Sequence, residues 1–214
     1  MADVIPDISI LLHGVSNGLR LGRIMTQGDG LNNLKGKERM RLETERLYFR
    51  HWTLEDKDAL FAMAKDPDIG YRCGWPAHKS VEESINTINT VFTCKENYAI
   101  CLKSTDEPIG CIDLMFNQKK DDECELGYWL GREYWGQGIM PEACKELIRH
   151  AFEDLKVSKV WCAYYEGNEQ SKRVQEKLGF VFQEKKENVK VALLNEVRND
   201  YVNLLTREDW ERNR

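Results

Sequence analysis

The chain changes from one hydrophobic pattern to another along its length, and these patterns predict its elements. Residues 46–52 alternate between apolar and polar side chains, which predicts a β-strand with two different faces. Thr53 and Ser80 each stand three residues before an acidic residue, a spacing typical of a helix N-terminus, and an apolar stripe follows each. Three further apolar runs are separated by polar turns and predict antiparallel strands at 98–103, 108–116 and 123–130.

After Leu130 the apolar positions follow the period of an amphipathic helix. A glycine-containing loop at 131–138 leads into a helix predicted to end near Leu155. A strand at 160–165, a helix at 168–178 and two strands at 180–186 and 199–205 follow. A strand, helix, strand crossover requires two parallel strands. The sequence therefore predicts an α/β (α+β) fold with a mixed, mostly antiparallel sheet of about seven strands, one parallel pair and about four flanking helices.

Residues 1–39 show neither the helical nor the strand period of apolar positions, and they lack aromatic side chains and contain six glycines. We expect them to form a poorly structured N-terminal extension, and residues 40–214 to form the domain. The codons of residues 37–39 can be purine-rich, like a bacterial ribosome-binding site. We therefore expect the natural start at Met40, with a genuine extension as the alternative.

Composition narrows the class of protein and of partner. A formal net charge of −5 removes the general attraction to nucleic acids and anionic membranes, so we predict neither as a partner. Seven cysteines, an odd number without a CxxC pair, indicate reduced thiols in a cytoplasmic protein. We expect Cys144 and Cys162 to be small buried apolar residues, because no histidine stands out as a partner for a nucleophile. No metal-ligand spacing occurs, so we predict no metal.

The stretch from Glu125 to Ala143 carries the clearest signal for a site. A strand there runs into Gly136 and Gly138 and then into the long helix. Such a turn gathers free backbone N–H groups and the positive end of the helix dipole, which suits a phosphate. A glycine turn without a ligand is the alternative on spacing alone. The stretch has neither the Gly-Lys-Ser/Thr of a Walker loop nor a clean GxGxxG pattern.

Several motifs occur together in the order of one known family. They are LETERLYFR at 42–50, GYWL at 127–130, YWGQG at 134–138 with Glu142 and Ala143, NEQS at 168–171, KLGF at 177–180, and the ending at 201–210. Through them the chain resembles the GNAT superfamily of acyl-CoA-dependent N-acyltransferases, in the branch of the bacterial ribosomal-protein N-terminal (alanine) acetyltransferases. The resemblance implies a GNAT-like fold whose parallel strands splay apart, acetyl-CoA as co-substrate, and a monomer or homodimer.

The resemblance also implies which residues bind acetyl-CoA. The loop before the long helix would wrap the pyrophosphate, and the preceding strand would pair with the pantetheine amides through its backbone. The implied residues are Tyr128, Trp129, Leu130, Trp135, Gly136, Gln137, Gly138, Ile139, Met140, Asn168 and Ser171. Purely structural alternatives exist, namely packing of a strand ring in the core and N-capping by Asn168.

By the same resemblance, a neutral amine attacks the thioester directly, without a covalent enzyme intermediate. Many family members place a tyrosine acid seven residues after Asn168, where this chain has Gln175. We therefore predict Ser171 as the proton donor, with a water-linked donor as the alternative. Glu125 and Glu142 are the candidate bases. Glu142 also has a structural alternative, because a carboxylate in the first turn of a helix is stabilised by the helix dipole.

The acceptor is expected to enter over residues 66–80, which contain Tyr71, Arg72, Trp75 and His78 and either line the site or close the core. We predict an N-acetyltransferase acting on a protein N-terminal α-amine or on a small amine, and the acidic domain favours a cationic acceptor. The alternative is a non-catalytic acyl-CoA-binding or interaction module with the same fold.

Overall fold

The computed structural model describes residues 42–117 and 120–214. The predicted extension at 1–39 lies outside the described residues, as do the first two positions of the predicted domain. The strands are β1 (Leu47–Arg50), β2 (Asn97–Leu102), β3 (Pro108–Asn117), β4 (Lys120–Leu130), β5 (Lys159–Tyr165), β6 (Val181–Val191) and β7 (Glu196–Thr206). The α-helices are α1 (Lys57–Ala64), α2 (Pro67–Cys73), α3 (Val81–Thr90), α4 (Ile139–Arg149), α5 (Glu169–Lys177) and α6 (Arg207–Arg212).

The seven strands form one sheet in the order β1-β2-β3-β4-β5-β7-β6. Every neighbouring pair is antiparallel except β4 and β5, which are parallel. Pairing between β4 and β5 ends where Glu125 opposes Trp161, whereas pairing of β4 with β3 continues to Leu130. The two parallel strands therefore splay apart, which confirms the predicted mixed sheet and opens a gap beside residues 126–130.

Helices cover both faces of the sheet, and each face has its own apolar core. On one face α4 and its π-helical continuation (His150–Asp154) bury Leu147 and Phe152 completely. On the other face α1, α2 and α3 bury Leu60 and Trp75 against Trp129 of β4. Burying a side chain of this size stabilises the fold by about 1.5–3 kcal/mol. The gap between β4 and β5 thus lies between two rigid layers.

The four predicted helices are present, and two short helices are added to them. Helix α2 lies within residues 66–80, where no helix was predicted. Asp66 caps it by accepting a hydrogen bond from the N–H of Asp68, Pro67 occupies its first turn, and Gly74 ends it at a φ of +86°. These are standard start and stop signals, but the helix has only seven residues and too few turns to show an apolar period. Helix α6 similarly follows the last predicted strand directly.

The final hairpin is longer than the sequence indicated. Strands β6 and β7 span 181–191 and 196–206, against predicted ranges of 180–186 and 199–205. Strand β6 is an edge strand, and most of its side chains are exposed on both faces. The polar run in its second half therefore carries no alternation from which a strand could be predicted.

Candidate active site

A cavity of about 440 Å³ opens where β4 and β5 separate. The loop at 131–138, helix α2 and the starts of α4 and α5 complete its walls, together with parts of β3, β5 and β7. Of the residues predicted for the site, those that line this cavity are Glu125, Tyr128, Trp129, Leu130, Trp135, Gly136, Gly138, Ile139, Met140, Asn168 and Ser171. Gln137 and Glu142 are not part of its lining.

The loop before α4 adopts a conformation that favours glycine. Gly136 and Gly138 have φ values of +75° and +74°, and a side chain at Gly136 would meet no atom within 4 Å. The first backbone N–H groups of α4 have no carbonyl partner within the helix, so they are available to an anion. Met140 turns into the core, where it is 8% exposed, and its side chain therefore does not fill the loop.

Two basic side chains that the sequence analysis did not single out also line the cavity. Arg173 and Lys177 stand four residues apart on α5, on the helix that begins beside the cavity. This spacing places them on one helix face and adds positive charge to the wall of the cavity. In the sequence they look like the basic residues of any solvent-exposed helix face, so the sequence did not indicate that they line a cavity.

A chain of hydrogen bonds surrounds Ser171 at the start of α5. Its Oγ lies 2.9 Å from Tyr128 Oη, and Gln175 Nε2 donates to it at 3.2 Å. Gln175 is 1% exposed, and its Oε1 accepts from Asn203 Nδ2 at 2.6 Å. Burial raises the pKa of Tyr128 well above its usual value. Gln175 is therefore a fixed support for Ser171, and Tyr128 joins Ser171 as a hydroxyl that can hold a proton.

Asn168 and Trp135 fix the backbone around the cavity. Asn168 Oδ1 accepts a hydrogen bond from the N–H of Ser171 at 3.3 Å, so it is the N-cap of α5. Trp135 Nε1 donates to the carbonyl of Leu130 at 2.8 Å, which ties the glycine loop to the end of β4. The structural role considered for Asn168 is thus present in a residue that also faces the cavity.

Glu142 is held by the segment that enters β1 and points away from the cavity lining. Its Oε1 accepts from Thr44 Oγ1 at 2.5 Å and its Oε2 accepts from Arg46 Nε at 2.7 Å. Burial raises the pKa of Glu142, but the hydrogen bonds from Thr44 and Arg46 outweigh this and keep it below the usual value. Arg46 also donates to the carbonyl of Gln137 at 3.2 Å. These contacts brace the glycine loop and favour Glu125 over Glu142 as a base.

Three carboxyl groups line the other side of the cavity: Asp113 of β3, Glu125 of β4 and Asp200 of β7. Burial, together with the nearby charges of Asp200 and Asp113, raises the pKa of Glu125 to about 8. Burial likewise raises the pKa of Asp113 to about 7 and that of Asp200 to about 7. Asp113 and Asp200 were not predicted, although an acidic residue inside an apolar strand run was a usable signal.

Helix α2 and the residues that follow it form another wall of the cavity. Arg72 and Trp75 line the cavity, whereas His78 points toward α3, with its Nδ1 2.8 Å from Ser84 Oγ. Arg198 of β7 fastens the helix, because its Nη1 donates to the carbonyl of Tyr71 at 2.5 Å and its guanidinium lies 3.8 Å from the centre of the Tyr71 ring. Residues 66–80 thus do both things that were expected of them: part lines the cavity and part closes the core.

Comparison with known sequences identifies the domain. The family described as "Acetyltransferase (GNAT) domain" matches residues 46–181. An uncharacterized N-acetyltransferase of Bacillus subtilis, YoaA, is 28% identical over 144 residues, which cover 65% of this chain and 81% of YoaA. The putative ribosomal N-acetyltransferase YdaF of the same organism is 36% identical over 104 residues, 48% of this chain and 55% of YdaF.

Solved structures share the fold. A GNAT-family acetyltransferase from Bacillus anthracis superposes with a TM-score of 0.72 at 21% identity, covering 79% of this chain and 99% of that protein. The microcin C7 self-immunity acetyltransferase MccE superposes with a TM-score of 0.65 at 16% identity, covering 76% and 93%. The MccE structure is a complex with acetyl-CoA and AMP.

The described residues contain neither a membrane-spanning helix nor a cluster of metal ligands. No helix among them is long and apolar enough to cross a membrane. Within residues 42–117 and 120–214, no group of three or more His, Cys, Asp or Glu side chains is placed to hold a metal ion. Burial raises the pKa of Cys144 and Cys162 above the usual range of a thiol.

Proposed function

The chain belongs to the GNAT acetyltransferase family and is an acetyl-CoA-dependent N-acetyltransferase. From this premise we propose that it transfers the acetyl group to a primary amine, and that the amine attacks the thioester directly. The acceptor is a protein N-terminal α-amine or a small amine. The observation that carries the proposal is the cavity at the β4 and β5 splay, which has hydroxyl groups on one side and carboxyl groups on the other.

The residues present fit acetyl-CoA. Residues 126–130 of β4 have no partner on the β5 side, so their backbone groups can pair with the pantetheine amides as an added strand would. The open turn at Gly136 and Gly138 suits the pyrophosphate, and Arg173 and Lys177 add complementary charge. When bound, acetyl-CoA supplies an acetyl group activated as a thioester. The chain's own residues must position it, accept one proton and provide another.

Glu125 is the base of the proposed reaction. It lines the cavity on the side of β4 opposite to Tyr128, and burial raises its pKa to about 8. A base with a pKa near the working pH is ionised often enough to accept a proton and basic enough to hold it. As the new carbon–nitrogen bond forms and the carbon–sulfur bond breaks, Glu125 takes the proton lost by the amine.

Ser171 and Tyr128 provide the proton for the departing sulfur. Gln175 donates to Ser171 Oγ, which leaves the serine hydrogen free to point elsewhere. Tyr128 Oη, 2.9 Å away, can replace the proton that Ser171 gives up. The pair thus does what the family's tyrosine does in other members, with Gln175 as its support.

Two features support the choice of acceptor. The relative YdaF is described as a putative ribosomal N-acetyltransferase, which favours a protein N-terminus. The three carboxyl groups of the cavity favour any acceptor that arrives as a cation, since an ammonium group is stabilised beside carboxylates. Both acceptor types present a primary amine to Glu125.

Thiol release from acetyl-CoA, measured with peptides that carry a free N-terminus and with aliphatic amines, tests the proposal. We expect amine-dependent release and a product heavier by one acetyl group in mass spectrometry. Glu125→Gln should lower kcat/KM by about 10²–10⁴-fold, and Ser171→Ala should lower kcat. Glu208→Gln, at an exposed position of α6 outside the cavity lining, serves as the matched control and should leave both unchanged. Tight acetyl-CoA binding without turnover on any amine would instead identify a binding module.

A further inference from the structure

The carboxyl groups of the cavity exceed what acetyl transfer requires. One base suffices for the reaction, yet Asp113 and Asp200 line the same cavity as Glu125. Asp200 is 1% exposed, and its Oδ2 has no hydrogen-bond partner among the described residues. A buried carboxylate oxygen without a partner is costly, because it has lost its water and gained nothing in exchange. Such an oxygen atom at the wall of a cavity indicates a ligand that donates a hydrogen bond to it.

The strand registers place the three carboxyl groups on one face of the sheet. Asp113 opposes Gly127 of β4, and residues Glu125 and Gly127 share a face because they are two positions apart. Asp200 opposes Tyr165 of β5 and thus lies across the gap from β4. The absence of a side chain at Gly127 is required, since a Cβ there would collide with Asp113 Oδ1.

None of the nearby cationic side chains that the structure describes donates a hydrogen bond to Asp200 Oδ2. Lys186 opposes Asp200 in the β6 and β7 pair and its charge lowers the pKa of Asp200, but its Nζ lies 3.4 Å from Glu184 Oε1. Arg198 is paired with Glu196, with 2.5 Å between Nη2 and Oε2.

Arg72 lines the cavity at another place. Its guanidinium lies 5.6 Å from the centre of the Trp135 ring, beside the glycine loop that would hold the coenzyme. No side chain of the described residues therefore donates a hydrogen bond to Asp200 Oδ2.

We propose that Asp200 forms a subsite for a second ammonium group on the β7 side of Glu125, so that the acceptor is a short aliphatic diamine or polyamine whose reacting nitrogen lies at Glu125. This inference rests on the proposed function and names the substrate class for the same site. An ammonium group donates up to three hydrogen bonds, one of which can satisfy Asp200 Oδ2, and it places a positive charge beside this carboxyl group. A second amine on the acceptor would satisfy Asp200 Oδ2 while the first is acetylated.

The experiment compares three probes that differ only at one end: 1,4-diaminobutane, butylamine and 4-aminobutanoate. We expect kcat/KM for 1,4-diaminobutane to exceed that for butylamine by about 10- to 100-fold, the range typical of one charge-assisted hydrogen-bonded contact. Calorimetry without acetyl-CoA should show the same order of affinity. Diamines of three and five carbons then give the distance between the two subsites.

Substitutions assign the preference to residues. Asp200→Asn and Asp200→Ser should each reduce the ratio of kcat/KM for 1,4-diaminobutane to kcat/KM for butylamine toward one, and the exposed Asp58→Asn on α1 should leave the ratio unchanged. Far-UV circular dichroism and thermal unfolding confirm that each variant is folded. Two different substitutions at Asp200 keep the test decisive if one of the variants fails to fold.

Three outcomes would overturn the inference. The first is a ratio near one in the unaltered protein. The second is a diamine preference that survives both substitutions. The third is a preference for 4-aminobutanoate, which would instead assign the far subsite to Arg72, whose Nε is buried without a hydrogen-bond partner. Acetylation of butylamine or of peptide N-termini without a diamine preference defeats this inference alone, whereas no acetylation of any amine defeats the proposed function.

Discussion

Replacing Asp113 by asparagine should change how the stability of the protein depends on pH. Asp113 is 3% exposed, and burial raises its pKa from 3.8 to about 7. Between these values the folded state keeps a proton that the unfolded state has lost, so raising the pH favours unfolding. At 1.36 kcal/mol per pH unit the difference amounts to about 4 kcal/mol, of which about 2–3 kcal/mol falls between pH 5 and pH 8. Asparagine does not titrate and avoids this loss.

Urea unfolding of the unaltered protein and of Asp113→Asn at pH 5 and pH 8 measures the effect. The amide can still bond the side chain of Asn97, which contacts Asp113 in the unaltered protein. We expect the stability of the variant relative to the unaltered protein to rise by about 2–3 kcal/mol from pH 5 to pH 8. Asp58→Asn, on the exposed face of α1, should show no such rise. A stability difference that stays constant with pH would refute the assignment of a raised pKa to Asp113.

Three further predictions concern the walls of the cavity. When kcat/KM is calculated for the neutral form of the amine, it should rise with pH, with an inflexion near pH 8 and a plateau above it, because the proposed base Glu125 acts when deprotonated. Glu125→Gln should abolish this inflexion. Gly138→Ala should destabilise the protein by about 1–3 kcal/mol, as should Gly179→Ala at a φ of +84°, but only the first should weaken acetyl-CoA binding in calorimetry. Arg198→Ala should accelerate hydrogen exchange in α2 while leaving β3 and β4 unchanged, because it removes the bond to Tyr71.

The long helices could be predicted because each has one buried face, and the inner strands because their apolar runs are buried between two layers of helices. The apolar stripe of α4 is a direct consequence of its packing against the sheet, and the side chains of β1 are buried on both of its faces. Helix α2 and the second half of β6 escaped prediction for opposite reasons. The helix is too short to show a period, and the strand is exposed on both faces and has none.

The coenzyme half and the carboxyl half of the site also differed in how far the sequence could predict them. The half proposed to bind the coenzyme could be predicted from the sequence because its residues are local, with Tyr128, Gly136 and Gly138 within one short stretch. The carboxyl half is assembled from β3, β4 and β7, and only the sheet order brings Asp113 and Asp200 to Glu125. No pattern along the chain encodes that proximity. The one local indication of this carboxyl group cluster was an isolated acidic residue within an apolar run.

The alternation of β4 separates the two proton transfers of the proposed reaction. Glu125 and Tyr128 lie an odd number of residues apart, so they point to opposite faces, and at about 3.3 Å per residue they are roughly 10 Å apart along the strand. The proton that Glu125 takes from the amine therefore cannot pass directly to the sulfur. Glu125 must release it to solvent, and the hydroxyl pair of Tyr128 and Ser171 must be recharged separately in each cycle. For this reason the base titration should appear in kcat as well as in kcat/KM, and loss of Tyr128 should lower kcat without moving that titration.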